Sequence, residues 1–437
     1  MKLRDLLGID YAILFPAVIL SIFGVLFIYS SGVNSSGVQV SLEYARQIAF
    51  AAAGLAFAVT LAMINYRRLY ELSLYFYISA IALLIYTCLF GRMVSGARAW
   101  LGIGSFGIQP SEFAKITTIL FLARYLDASS RSPNSFLRFL VSCIIVFVPM
   151  AIVLIQPDFG TSLVFVPILL VMTFIAKISL RYVLFLIMFI ALTGIFSVLP
   201  LWQSYILRGG FSAIQILLNA RFIALTVLAF LAVLLIALFG FFRYKKRYFY
   251  WIVYVSSIVI LSLGASFVSH RFLKDYQVMR LIVFLDPNVD PQGSGWHIIQ
   301  SITAIGSGGL WGKGYLQGTQ SHYRFLPQQS TDFIFSIFSE EWGMAGGIVV
   351  FALFLLICLR LVRVMRITTD PFGIFTTAGL SAMYAFHFLV NVGMTMGIMP
   401  ITGIPLMFMS YGGSAMISAM AGIGLALSVN AHRYQHR

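Results

Sequence analysis

The sequence has 437 residues, of which 60% are hydrophobic and only 10% are charged, and its mean hydropathy is +0.94. This composition is typical of polytopic membrane proteins and excludes a soluble globular enzyme or a disordered chain. The formal net charge of +15 would suggest a nucleic-acid partner in a soluble protein. Here most basic residues lie in short gaps between apolar runs, where they set membrane orientation. We therefore expect no nucleic acid as a partner.

The apolar runs predict an all-α polytopic membrane protein with about 12 transmembrane helices in a single integral membrane domain, 1–437. The runs lie near 11–31, 45–63, 71–90, 111–126, 137–156, 159–176, 182–200, 221–242, 248–268, 332–360, 374–397 and 402–430. Two of them, 111–126 and 159–176, are near the short limit for a membrane span. Basic clusters fall in alternate gaps, so the positive-inside rule makes these gaps and both termini cytoplasmic.

The longest polar interruption, 269–331, is predicted to be a large extracytoplasmic loop. A loop of this length in a compact protein is usually functional or disordered. Its aromatic residues and its short amphipathic run Trp296–Ile305 argue against disorder. Its many glycines, including the cluster 306–314, predict turns and close backbone approach.

Glu112 and Lys115 lie three positions apart, just inside an apolar run. They could form an intrahelical ion pair worth about 0.2–0.5 kcal/mol. Alternatively, Lys115 could bind a diphosphate, since an ionisable residue within a span usually faces a partner or a polar cavity and an ammonium is a compact point charge.

Several further polar residues lie in predicted outward gaps. Asp158 follows Pro157 in the shortest of them, where it could cap a turn or bind a divalent cation, because such cations prefer oxygen ligands. Arg98 and Arg324 could each hold phosphate oxygens in a bidentate manner. Trp100 is typical of an interfacial aromatic belt.

Asp332 immediately precedes the apolar run 333–338. It could be a helix-start carboxylate, worth about 0.3–1 kcal/mol beside the helix dipole. It could instead be a general base at the outer membrane surface, with Ser336 on the same helical face and Glu340 flanking it. The residues alone leave both interpretations open.

Seven motifs carry a resemblance to a known family. In chain order they are GARAWL from Gly96, QPSEFAK from Gln109, QPDFGT from Gln156, DPNVDPQGSGWH from Asp286, TDFIF from Thr331, EEWG from Glu340 and SYGGS from Ser410. Together they resemble the SEDS family of peptidoglycan glycosyltransferases, and its elongation branch in particular. The resemblance follows the family's order over most of the chain.

The resemblance implies a ten-helix core, so the runs 221–242 and 248–268 form an extra helix pair inside an insertion at 201–268 that begins with an outward linker. It places Asp332 on the family's proposed catalytic aspartate. The candidate residues are Asp332 as catalytic base, Lys115, Arg98, Trp100, Arg324, Glu112, Ser336 and Glu340 as substrate contacts, and Asp158 as a metal ligand.

The activity implied is polymerisation of lipid II on the outer face of the bacterial cytoplasmic membrane, in cell elongation and shape, with undecaprenyl diphosphate as the leaving group. The expected cofactor is a divalent cation, Mg²⁺ or Mn²⁺, with no organic cofactor. The expected partners are a class B penicillin-binding protein and other membrane proteins of the elongation machinery.

Two other classes of function stay open: a lipid II flippase or other polyprenyl-lipid transporter, and a scaffold with an inactive site. A flippase should need charged groups along a path across the membrane. The middle parts of the predicted spans contain almost none.

Overall fold

The computed structural model describes residues 10–94, 97–103, 106–131, 134–202, 220–272, 275–326 and 328–432. The α-helices are α1 Tyr11–Ser31, α2 Glu43–Met63, α3 Tyr66–Phe90, α4 Pro110–Ala128, α5 Ser135–Ile155, α6 Phe159–Leu163, α7 Phe165–Ile175, α8 Leu180–Trp202, α9 Ala220–Tyr244, α10 Arg247–Phe272, α11 Asp275–Leu285, α12 Ser294–Ser307, α13 Thr319–His322, α14 Ile334–Ile367, α15 Pro371–Thr395 and α16 Gly413–Ala431. Three short strands, β1 Arg92–Val94, β2 Ala97–Ile103 and β3 Phe106–Ile108, and a 3₁₀ turn, Pro287–Val289, complete the described elements.

The mainly helical membrane fold is confirmed. Within the described ranges, ten helices are long and apolar enough to cross a membrane. The two short runs noted in the sequence do not meet that criterion, because α4 contains several charged residues and the run Phe159–Ile175 is too short. That these two also cross the membrane stays a prediction, and with it the count of twelve.

Several of the helices begin at a polar residue whose side chain satisfies a free backbone N–H group. Asp10 accepts from Ala12 N at 3.1 Å, Asn65 from Arg67 N at 3.0 Å, and Asn134 from Leu137 N at 3.0 Å. Such caps typically contribute about 1 kcal/mol each. These caps set the first residues of α1, α3 and α5.

The predicted span 402–430 is wrong at its start, since α16 begins only at Gly413. Residues 401–412, the 401–412 loop, are not helical although many of them are apolar and buried. Gly403 has a positive φ of 73° and Pro405 has no backbone donor for a helix. Non-helical backbone of this kind is tolerated in a membrane protein where the surrounding protein buries it.

The polar gap after α3 contains a small sheet that the sequence analysis did not predict. Strands β1, β2 and β3 pair in that order and antiparallel, with Leu101 opposite Ile108 and Gly102 opposite Gly107. Arg98 N also donates to Gln156 O at 3.2 Å, which ties β2 to the end of α5.

The glycine cluster of the large loop does allow close backbone approach. Helix α14 is kinked at Gly343, where φ is 65°, so the carbonyls of Glu340 and Glu341 become available. They accept from Lys313 N and Gly314 N, both at 3.0 Å. A Cβ atom on Gly312 would lie 2.0 Å from Glu341 O, so only glycine fits there. The amphipathic run Trp296–Ile305 is confirmed as part of α12.

The described residues divide between two compact units, Met1–Ile178 with Gln300–Arg437 and Ser179–Ile299. In the first unit α16 forms the core, with 83% of its span buried, and it packs against α2. A Cβ atom on Gly424 would lie 2.5 Å from Ala58 O, so the contact depends on the missing side chain.

The second unit contains the predicted extra pair, now α9 and α10, which pack against each other. The prediction of helices at 221–242 and 248–268 is confirmed within a few residues at each end. Most of the predicted outward linker, 203–219, lies outside the described residues. Only 6% of the α9 span is buried, and most of its residues are exposed.

Candidate functional site

Asp332 lies in the turn that precedes α14 and is half-buried. The N-cap residue of α14 is Phe333, whose side chain makes no capping bond. Both interpretations of the Asp332 carboxylate, as a helix-start charge and as a general base, stay predictions. Asp332 N donates to Gln328 O at 3.1 Å, and its carbonyl accepts from Asn391 Nδ2 at 3.0 Å. Both the backbone N–H and the backbone carbonyl of Asp332 are hydrogen-bonded, so the position of its Cα atom is fixed.

The 401–412 loop holds the other side of this turn. Tyr411 N donates to Ser330 O at 2.8 Å, and Ser410 Oγ donates to Thr331 O. Gln47 of α2 then donates to Ser410 O at 3.1 Å. Asp332 thus sits on backbone that is fixed from α2, α15 and the loop before α16, which is the rigid support that a catalytic group needs.

A buried polar network lies on the other side of the 401–412 loop. Lys115 Nζ lies 2.9 Å from Glu112 Oε1 and 3.0 Å from His387 Nε2, and Ser418 Oγ donates to Glu112 Oε2 at 3.1 Å. His387 Nδ1 lies 3.1 Å from Pro405 O. A carbonyl only accepts, so Nδ1 carries the proton and Nε2 accepts from the lysine.

The structure contains the predicted Glu112–Lys115 pair, but the sequence did not indicate that the pair is fully buried or that His387 contacts it. Both residues are fully buried, at 1% and 0% exposure, and the ammonium is occupied by a carboxylate and an imidazole. In this geometry Lys115 faces protein groups, and its contact with a diphosphate stays a prediction. His387 was missed, although an ionisable residue inside an apolar span is itself a sign of a polar site.

Asp158 caps α6 and connects it to the start of α4. Its carboxylate accepts from Thr161 N at 3.1 Å, Thr161 Oγ1 at 2.8 Å and Gln109 Nε2 at 2.8 Å. Burial of the carboxylate raises the pKa of Asp158, and the bonds from Thr161 oppose that shift. Gln109 N in turn donates to Ser414 Oγ at 2.8 Å at the start of α16.

The contacts of Asp158 bear directly on the predicted cation site. The described residues contain no group of three or more histidine, cysteine or acidic side chains that could hold a metal ion, and the oxygens of Asp158 already accept three hydrogen bonds. The described side chains around Asp158 therefore do not supply enough ligands to hold a cation by themselves. A Mg²⁺ or Mn²⁺ ion stays a prediction and would need oxygens from the substrate.

Ser336 and Glu340 are placed inside the protein. Ser301 Oγ donates to Thr395 O at 2.6 Å and lies 2.7 Å from Ser336 Oγ, so Ser336 donates to Ser301. Glu340 Oε1 accepts from Lys313 Nζ and Thr319 N, both at 2.8 Å. The predicted polar face of α14 therefore anchors the large loop, and contact of either side chain with substrate stays a prediction.

Arg98, Trp100 and Arg324 are the more accessible candidates. Both arginines are exposed, and neither forms an ion pair with a carboxylate of the described residues. The ring of Trp100 covers Gly107, where a Cβ atom would lie 2.9 Å from the ring. The structure does not connect these three residues to Asp332 by any described hydrogen bond.

A family model described as a cell cycle protein family, FtsW/RodA/SpoVE, matches residues 11–221 and 213–435. The chain belongs to the FtsW/RodA/SpoVE family. The two matched segments meet within the stretch where the sequence predicts an insertion. The resemblance stated from the motifs is thus confirmed over nearly the whole chain.

Two curated relatives support the assignment to this family. The chain is 49% identical over 434 residues to the peptidoglycan glycosyltransferase RodA of Treponema pallidum, which covers 99% of this chain and 100% of that protein. It is 33% identical over 429 residues to the peptidoglycan glycosyltransferase MrdB of Escherichia coli, with 98% and 95% coverage.

Solved structures agree on the fold. One is described as showing how a peptidoglycan synthase complex coordinates polymerization and crosslinking, and its chain matches with a TM-score of 0.67 and 25% identity over 98% of this chain and 99% of that one. RodA of Thermus thermophilus matches with a TM-score of 0.61 and 22% identity over 98% of each chain, a likeness that concerns the fold alone.

Proposed function

We propose that this multi-pass membrane protein is a peptidoglycan glycosyltransferase that polymerises lipid II, with Asp332 as general base. The observation that carries the proposal is the position of Asp332, directly before the N-cap residue of α14 and on backbone that Asn391 holds. The names of the relatives and the family assignment support the same activity. We place the site on the outer face, with both termini cytoplasmic, on the positive-inside rule.

In the proposed reaction, Asp332 removes the proton from the 4-hydroxyl of the acceptor sugar. That oxygen attacks the anomeric carbon of the donor, and the bond from this carbon to the diphosphate breaks. Undecaprenyl diphosphate leaves with the electron pair, and the anomeric centre is inverted. General-base catalysis of this kind contributes about 10²–10⁴-fold to the rate. Exposed Arg98 and Arg324 are the candidates to bind the diphosphate, where negative charge develops.

An apolar groove supports a lipid-linked substrate. It has a volume of about 320 Å³ and is lined by α1, α2 and α16, with Ile48, Ala51, Ala52 and Leu55 contributed by α2. Its first α2 residue directly follows Gln47, which is bonded to the loop beside Asp332. We infer that part of the polyprenyl chain lies in this groove while the sugars reach Asp332.

A crosslinking partner is part of the proposal. The neighbouring structure's description joins polymerization with crosslinking, and a class B penicillin-binding protein is the partner expected from the motifs. Purified protein, with and without such a partner, should convert lipid II to glycan polymer on a gel. Lipid movement across the bilayer with no polymer would instead favour the flippase.

Replacement of Asp332 by Asn tests the base. Asn keeps the size and hydrogen bonding of the side chain but cannot take up a proton, so polymerisation should fall by at least about 10²-fold while folding and partner binding persist. Gln328→Ala is the matched control. It changes a neighbouring side chain but keeps the backbone carbonyl that accepts from Asp332 N, so polymerisation should persist. Polymerisation by Asp332→Asn at near the wild-type rate would remove Asp332 from the mechanism.

A further inference from the structure

The tip of the α9–α10 hairpin carries an unusual concentration of positive charge. Arg243, Lys245, Lys246 and Arg247 occupy four of five consecutive positions, and all four are exposed. The sequence contains no aspartate or glutamate between Asp158 and Asp275. The cluster therefore has no acidic neighbour along the chain that could neutralise it.

The hairpin holds these cations close together. Only Lys245 and Lys246 separate the two helices, and Lys245 has a positive φ of 50° while its N–H donates to Phe241 O at 3.0 Å. A Cβ atom on Gly240 would lie 2.3 Å from the ring of Phe249, so the helix ends are in close contact. The four charges are thus presented on a short and well-defined turn.

The hairpin cluster differs from some other predicted cytoplasmic ends in its lack of acidic partners. Two other basic residues at predicted cytoplasmic ends have acidic partners, since Arg67 lies 3.9 Å from Asp370 and Arg360 is paired with Asp10. Within the described part of the chain, no ion pair involves the four hairpin cations. None of the described carboxylates neutralises these four charges.

An apolar stripe leads directly to the cations. Ile236, Phe239 and Phe242 lie one turn apart on α9 and are 69%, 69% and 73% exposed. On α10, the exposed aromatic residues Tyr248 and Trp251 lie at the same end. An apolar stripe that ends in aromatic and basic side chains matches the boundary between lipid chains and headgroups.

We propose that the tip of the α9–α10 hairpin binds the headgroup of an anionic phospholipid of the cytoplasmic leaflet, and that it prefers a lipid with two phosphates. The acyl chains lie along the exposed stripe of α9, and the cations bind the phosphates. The two-phosphate preference follows from four cations within one turn. The proposal is independent of the polymerase activity and uses the predicted cytoplasmic orientation of this turn.

The test is a titration of the full-length protein in detergent, followed by native mass spectrometry, with diphosphatidylglycerol, phosphatidylglycerol and phosphatidylcholine. Each cation near an anionic headgroup contributes about fivefold to binding, so the double variant Lys245→Gln/Lys246→Gln should bind diphosphatidylglycerol roughly 30-fold more weakly. The charge-retaining variant Lys245→Arg/Lys246→Arg should bind like the wild type.

The matched control is Arg363→Gln/Arg366→Gln, which removes two exposed cations from another predicted cytoplasmic end. It should leave diphosphatidylglycerol binding nearly unchanged. Unchanged binding in the Gln variant of the hairpin, or an equal loss in this control, would overturn the proposal. The proposal would also be overturned by weaker lipid binding in the Lys-to-Arg variant or by equal binding of all three lipids. Displacement of diphosphatidylglycerol by inorganic diphosphate at the same concentration would overturn it as well.

Discussion

The buried pair between Glu112 and Lys115 allows a prediction that separates a structural from a chemical role. The ammonium and carboxylate are 2.9 Å apart with side-chain exposures of 0% and 2%. Removal of one partner leaves the other charge buried without compensation, which typically costs about 3–5 kcal/mol. Lys115→Met and Glu112→Gln should therefore each lower stability strongly, although both replacements suit a helix and fit the space.

The double variant Lys115→Met/Glu112→Gln should be more stable than either single variant. It contains no unpaired buried charge, and the amide oxygen of the introduced glutamine could still accept from Ser418. The main remaining loss is the partner of His387 Nε2, and one unsatisfied buried group costs about 1–3 kcal/mol. The measurement is the apparent melting temperature of the purified proteins in detergent, followed by size-exclusion fluorescence.

Polymerisation of lipid II by the same proteins then assigns the role of Lys115. If the lysine only stabilises the site, activity should follow the folded fraction and recover in the double variant. The double variant could instead recover its stability while polymerisation stays reduced by about 10²-fold or more, the loss expected when a charge-stabilising contact is removed. That result would support the predicted contact with diphosphate. An unchanged melting temperature in Lys115→Met would refute the reasoning, because a charge buried as the structure shows cannot lose its partner without cost.

Two further predictions concern the groove and the topology. Ala52→Trp should fill the groove and raise the apparent KM for lipid II about fivefold, equivalent to roughly 40 Å² of lost apolar contact. Ala53 does not line the groove, so Ala53→Trp should leave the KM unchanged. Equal effects of the two variants on the KM would exclude the groove as a lipid site. In a variant without native cysteines, an impermeant thiol reagent added from outside should label a cysteine that replaces Gln317 and leave one that replaces Lys245 unlabelled. The reverse pattern would place the proposed site on the cytoplasmic side of the membrane and contradict the proposal.

Features that depend on local sequence were predicted well. Helices α9, α10 and α12 follow from apolar periodicity, and the glycines of the large loop indicated close approach that the kink at Gly343 now explains. The position of Asp332 immediately before a helix was also evident from the sequence. In each case the determining residues are neighbours along the chain, so that composition and spacing contain the necessary information.

Features that depend on distant partners were not predictable. Lys115 and His387 are separated by 272 positions, so the sequence offered only Glu112 as a protein partner for the lysine. The hydrogen-bond donors to Glu340 could not be predicted either, because they lie in turns of the large loop whose path the sequence does not define. Apolar content misled at 402–412, where hydrophobic residues are buried by protein in a loop and do not form a helix.

The non-helical conformation of the 401–412 loop has a chemical consequence. In a helix, the carbonyls of Ile404 and Pro405 would accept from backbone N–H groups four residues further on. In the loop they instead accept from Asn391 Nδ2 at 2.8 Å and His387 Nδ1 at 3.1 Å. Asn391 also holds the carbonyl of Asp332, and His387 contacts Lys115. The loop therefore links the proposed base to the buried ion pair, and a helical start at 402 would leave both without support.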